Sequence, residues 1–180
     1  VAGLIVLVVF ATVLCRERAK WNDADAITKS ALASLVRIVD TVDPEYQIVA
    51  VTSPVKAQRM PVFGGNTESF LRVVTGEERR VDVIASLAVD RADASVTVAW
   101  LDTRRMRIEV APECGAFHLP SNLNDRGRAE VGDRIAVERG TATIVAIDRR
   151  NQPVTLDIEM DRVARSDEIW VTFAAGEFRL

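Results

Sequence analysis

Hydrophobic positions follow three regimes along this chain. From Val1 to Leu14 no residue is charged; Cys15 follows, and Arg16, Glu17, Arg18 and Lys20 come at once. Between residues 22 and 44 apolar positions recur at helical spacing, and from Tyr46 onward they alternate. The pattern predicts an apolar helix with a basic flank over residues 1–20, an amphipathic connector helix over 21–44 and a β-rich globular domain over 45–180.

The first regime is a membrane or oligomer helix by this reading. A buried strand is the competing assignment for "LIVLVVF", but the uncharged run outlasts the 4 to 8 residues typical of strands. Leu4, Ile5, Leu7, Val9, Phe10 and Leu14 supply the apolar surface of an anchor, and Trp21 suits a membrane interface just past it. Val1 to Cys15 give roughly 22 Å of helix, short of a ~30 Å hydrocarbon core, so a span would need residues upstream of Val1. Three positive charges against one negative in "RERAK" resemble a stop-transfer flank, which by the positive-inside rule puts the following domain in the cytoplasm. A secretory signal would need a basic region in front and a small-residue cleavage site behind. The expectation is a single-pass membrane protein.

In the second regime Asn22 or Asp23 is placed to cap a helix, and Ile27, Ala31, Leu35, Ile38 and Val42 form its apolar stripe. Pro44 ends it, since the residue before proline is pushed out of helical geometry. In the third regime Val81, Val83, Ala85, Leu87 and Val89 share a face. Val96, Val98 and Trp100 then oppose Met106, Ile108 and Val110 in a hairpin joined through "DTRR". Further strands follow in "RIAVERGTATIVAID", "QPVTLDIEM" and "EIWVTFAAG", so the fold class is an N-terminal helix plus a mainly antiparallel all-β domain, a sandwich or a small barrel. Two segments, "VKAQRMPVFGGNTES" and residues 111–133, are assigned to loops. The second is long enough to be the first place to seek a contact surface.

Composition narrows the partners. With 180 residues, 48% of them hydrophobic, the chain can bury a real core, and 23 basic against 26 acidic residues leave a net charge of −3. That balance lacks the cationic surplus of a nucleic-acid binder. Cys114 and the single histidine, His118, stand four apart in "ECGAFH", a spacing with no recognised catalytic or metal signature around it. No cofactor motif is present. Arg104, Arg105 and Arg107 at the hairpin turn, together with His118, make a candidate partner surface.

Three functions are compatible with these features. The first is a membrane-anchored, non-enzymatic accessory or assembly subunit whose β domain binds other protein subunits in a larger complex. The second is a filament subunit: an apolar N-terminal helix, an amphipathic continuation and a β-rich head resemble the layout of type IV pilin-like proteins, archaeal ones included, although no motif is shared. That resemblance implies polymerisation through the helix, with Arg16, Glu17 and Arg18 entering a packed bundle where unpaired charges are costly. The third is a soluble β-domain enzyme using the Cys114 and His118 loop.

Overall fold

A computed structural model describes residues 2–57, 60–62, 81–91, 93–118 and 128–180, giving the backbone course alone for residues 2–10, 60 and 61. One helix, α1 (Ala2–Thr41), precedes β1 (Gln47–Ala57), β2 (Met60–Pro61), β3 (Val81–Val89), β4 (Val96–Trp100), β5 (Arg105–Val110) and β6 (Gly115–His118). Then come β7 (Arg134–Val137), β8 (Gly140–Ile147), β9 (Pro153–Met160), β10 (Glu168–Ala174) and β11 (Glu177–Arg179). The strands form a sandwich-like pair of sheets. The first runs β11-β10-β1-β3-β6, with β2 paired to the end of β1, and the second runs β4-β5-β9-β8-β7.

The expected hairpin is present in its expected register: Val96 faces Val110, Val98 faces Ile108 and Trp100 faces Met106. The centre of the first sheet departs from a simple meander, because β1 pairs in parallel with both β10 and β3. Ile48, Val49, Ala50 and Val51 are all buried. Since successive residues of a strand point to opposite faces, a run buried at every position is covered on both. The covers are α1, which packs along β11, β1 and β2, and the second sheet, which meets the first at β6 with β9, β10 with β4 and β5 with β6.

The segment assigned to a long loop at residues 111–133 contains β6, whose residues 115 to 118 pair with Val89 back to Ser86. Its four residues are too few to show alternation, and a glycine opens it. That glycine is required by close approach, because a Cβ on Gly115 would lie 2.4 Å from the carbonyl oxygen of Ala88. Residues 119–127 of the same segment, and 58, 59 and 63–69 of the other, lie outside the described residues.

The apolar and amphipathic segments are one unbroken helix, about 60 Å long at 1.5 Å per residue. No proline or glycine stands between Gly3 and Pro44, so nothing interrupts the hydrogen-bond ladder, and Asn22 and Asp23 lie inside the helix instead of capping one. The helix ends at Thr41. Beyond it a turn around Asp43 takes over, its carboxylate accepting the Glu45 N–H at 3.0 Å and its carbonyl the Tyr46 N–H at 3.0 Å.

The two halves of α1 have different surroundings. Ala24, Ile27, Ala31, Leu35, Ile38 and Val39 are buried, which is the stripe that the 3.6-residue period marks. Ser34, within that stripe, accepts the Phe178 N–H at 2.8 Å and donates to the Ala31 carbonyl at 2.8 Å, tying the helix to β11. By contrast, no residue from Ala11 to Asp23 is buried, and Leu14 and Trp21 are 53% and 56% exposed.

The expectation of a single-pass membrane protein is overturned. Among the described residues no helix is long and apolar enough to cross a membrane. The physical reason is that Arg16, Glu17 and Arg18 stand within α1 and would carry charge into the hydrocarbon core, which is costly. Of the anchor residues, Leu14 and Trp21 are on the exposed surface, and the side chains of Leu4, Ile5, Leu7, Val9 and Phe10 lie outside the described residues.

Docking of the second half makes a quantitative expectation. Leu35→Ala removes a fully buried side chain from the helix–sheet contact and is expected to cost about 2–5 kcal/mol in urea unfolding. Lys29→Ala, on the exposed face, is expected to stay within about 0.5 kcal/mol. Equal effects of the two would contradict the docking.

Candidate functional site

The most deeply buried polar constellation was not anticipated from the sequence. Arg139, in the turn between β7 and β8, is 7% exposed and reaches the first sheet. Its Nε and Nη2 meet Asp82 Oδ2 on β3 at 2.6 and 2.5 Å, and its Nη1 donates to Glu168 Oε1 on β10 at 2.7 Å. Asp82 also accepts from Gln47 Nε2 at 2.8 Å, so the three parallel strands β3, β1 and β10 all contribute. Arg162 adds a second cation to Glu168 Oε1 at 2.6 Å, and the Arg165 N–H donates to Glu168 Oε2 at 3.0 Å. Next door, Glu138 accepts the Val83 N–H at 2.8 Å, docking the same turn again.

Two cations and two carboxylates cancel here, and each carboxylate has several donors, which is the condition under which buried charge is tolerated. Burial alone would raise the Glu168 carboxyl, but the Arg165 N–H, Arg139 and Arg162 together hold it below its ordinary value. Burial likewise opposes the Arg139 cation and is outweighed by Glu168 and Asp82, so its pKa is raised. The local backbone is specialised too: a Cβ on Gly140 would lie 2.1 Å from the Glu159 carbonyl oxygen, so β8 can start beside β9 only without a side chain. The arrangement is a clamp between the sheets. The sequence signal for it was an aspartate between valines in "VDV" and an arginine just before a glycine, both common on solvated surfaces.

The Cys114 and His118 pair does not form a reaction centre. Cys114 is buried in the turn that leads into β6, while His118 is exposed at the other end of that strand. Burial, and behind it the charge of Lys56, holds the His118 imidazole below its ordinary pKa, so it is neutral at neutral pH. Among the described residues no three of His, Cys, Asp and Glu are grouped to hold a metal ion. Strand register sets Ser53, Ser86 and His118 side by side across β1, β3 and β6. Ser86 and His118 line a cleft of about 200 Å³ whose other walls include Ile84, Phe117, Ile135 and Leu156. The Ser53 hydroxyl is buried without a partner among the described residues. A serine nucleophile needs its base within hydrogen-bond reach, and no such bond joins Ser86 to His118 among the described residues.

The arginine knot is engaged within its own sheet. Arg104 donates through Nε and Nη2 to the Met160 carbonyl at 3.0 and 2.7 Å. Arg105 pairs with Asp102 at 2.5 Å, which holds the Asp102 carboxyl low after the stronger effect of the Arg104 N–H. Arg107 meets both oxygens of Asp157 at 2.7 and 2.9 Å. These arginines stand on the second sheet and His118 on the first, and among the described residues no hydrogen bond or ion pair joins them.

What remains available to another molecule is the first half of α1. Between Ala11 and Asp23 its surface carries exposed Val13, Leu14, Cys15 and Trp21, which no described residue of the chain buries. Comparison with known protein families finds no family model that matches the chain, and neither curated proteins nor solved structures give a match.

The clamp sets the second expectation. Arg139→Leu leaves Asp82 and Glu168 buried without their shared cation and is expected to cost about 3–5 kcal/mol at neutral pH in urea unfolding. Because Glu168 has a depressed folded-state pKa, its contribution is present above the ordinary carboxylate range and is lost as pH falls through that folded value. The gap between wild type and variant should therefore shrink in acid. A gap that is negligible at neutral pH, or unchanged in acid, would contradict the clamp.

Proposed function

We propose that this chain is a non-enzymatic subunit of a larger assembly, joined to its partners through the first half of α1 and presenting the β domain as a head. The observation that carries this reading is that one continuous helix has a docked stretch from Ala24 to Val39 and a stretch from Ala11 to Asp23 that no described residue buries. A helical stretch that is apolar around its circumference is stable when surrounded, and a stretch rich in Val gains little from propensity alone. No described residue of the β domain buries residues 11–23, and the neighbours that this stretch calls for are placed in other subunits. The internally satisfied clamp and arginine pairs fit a rigid head.

A filament subunit is the more specific form of the same reading. The unbroken course of α1 from its apolar start into the core favours it, since one rigid rod transmits the packing of the bundle to the head without a hinge. Exposed Cys15, buried Cys114 and neutral His118 do not assemble into a reaction centre, which is why an enzymatic role is not adopted.

Sedimentation velocity tests the proposal. The chain is expected to run as a concentration-dependent multimer, and Leu14→Asp to run as a monomer whose thermal unfolding matches the parent. A parent chain that stays monomeric into the tens of micromolar range, where weak specific association becomes visible, would contradict the proposal.

A further inference from the structure

Among the described residues, the second sheet ends in a strand edge with no partner. β4 is its outer strand and pairs with β5 alone. The Leu101 N–H donates to the Arg105 carbonyl at 2.8 Å, which fixes the alternation: Leu101, Ala99 and Thr97 direct their backbone groups to β5. Val96, Val98 and Trp100 therefore direct theirs away from it, and among the described residues no backbone hydrogen bond reaches these outward groups. The edge also lacks the charge or proline that protects most edges from pairing. From Ala94 to Leu101 no residue is charged, whereas β7 opens on Arg134 and β11 carries Glu177 and Arg179. Thr97, Ala99 and Trp100 are exposed, Trp100 at 48% although its ring makes an edge contact with Trp170.

We infer that β4 pairs antiparallel with β4 of a second copy, centred on Val98, so that the second sheets of two heads join into one. A second copy fits because the edge is its own complement. With Val98 opposite Val98 and Val96 opposite Trp100, every outward N–H meets an outward C=O. A centre at Ala99 would set Val96 against Asp102, beyond the strand. A centre at Thr97 would set Trp100 against Ala94, whose carbonyl already accepts the Ala175 N–H at 2.7 Å. In the register about Val98, Thr97 lies opposite Ala99 on the exposed face, and Val96 of one copy comes beside the Trp100 indole of the other. The same surface is used on both copies, so the contact closes on itself and joins heads in pairs. Five residues of edge make a small contact, and the inference therefore rests on the assembly reading. Association through α1 brings heads near one another, and the edges then pair at high effective concentration.

Disulfide formation in the whole chain tests the pairing, with Cys15→Ser throughout and Cys114 buried. Thr97 and Ala99 of opposite copies form a non-hydrogen-bonded pair, about 4.5 Å between Cα atoms and within disulfide reach. Thr97 with Thr97, and Ala99 with Ala99, are diagonal neighbours about 7–8 Å apart and outside that reach. Under mild oxidation a mixture of Thr97→Cys and Ala99→Cys chains is expected to give a covalent dimer, and either variant alone to give none. Val98→Pro removes a donor that faces away from β5, so it should abolish the dimer and leave the sedimenting multimer unchanged. Leu14→Asp should abolish it too, by removing the assembly. Multimers in sedimentation with no covalent dimer from the mixture overturn the pairing and leave assembly standing. A dimer from either variant alone overturns the centre at Val98, and one that persists with Leu14→Asp overturns the dependence on α1. A chain that sediments as a monomer and gives no dimer overturns both readings.

Discussion

The contact between the stripe from Ala24 to Val39 and the first sheet is the constraint on which the rest of the molecule depends. It buries Ile27, Leu35 and Ile38 against strands that are covered by the second sheet on their other face. Burial of each such side chain stabilises by roughly 1.5–3 kcal/mol, before the entropy of ordering the chain is set against it. Because α1 is continuous, fixing its second half also fixes the direction of the first. The course of residues 11–23 is thus a consequence of the docked stretch that follows them.

The sheets are held to one another by two kinds of contact with different specificity. Apolar packing among Met106, Ile108, Ile158, Phe117 and their neighbours supplies the bulk of the adhesion and tolerates small slips. The Arg139 clamp does not tolerate slips, since its guanidinium must reach Asp82 and Glu168 from the opposite sheet within hydrogen-bond distance. An arrangement shifted by one strand position would leave charges buried without partners. Its adhesive value is smaller than its role in selecting one alignment of the two sheets.

Legibility in the sequence followed the physics of each region. The β4–β5 hairpin was readable because one face of each strand is core and the other is solvent, which writes alternation into the residues. The stripe on α1 was readable for the same reason at helical period. β1 was harder: buried on both faces, "QIVAVTSPVKA" carries no alternation, and its parallel pairing depends on crossovers that leave no local mark. The continuity of α1 was missed because capping residues at Asn22 and Asp23 are permissive and do not compel a helix to begin. The Arg139 clamp was invisible because its members are separated by dozens of residues and each resembles a surface charge. Single-pass membrane placement rested on the uncharged run and its basic flank, while the charges of Arg16, Glu17 and Arg18 within the same helix argue against it.

The central proposal is that other subunits pack on residues 11–23 of α1, which no described residue of the chain buries. Amide hydrogen exchange at two protein concentrations measures this directly. Amides of residues 11–23 should be protected at high concentration and lose that protection on dilution, while those of residues 27–39 stay protected throughout. Residues 11–23 exchanging freely at every concentration, or remaining protected after dilution to monomer, would contradict the account.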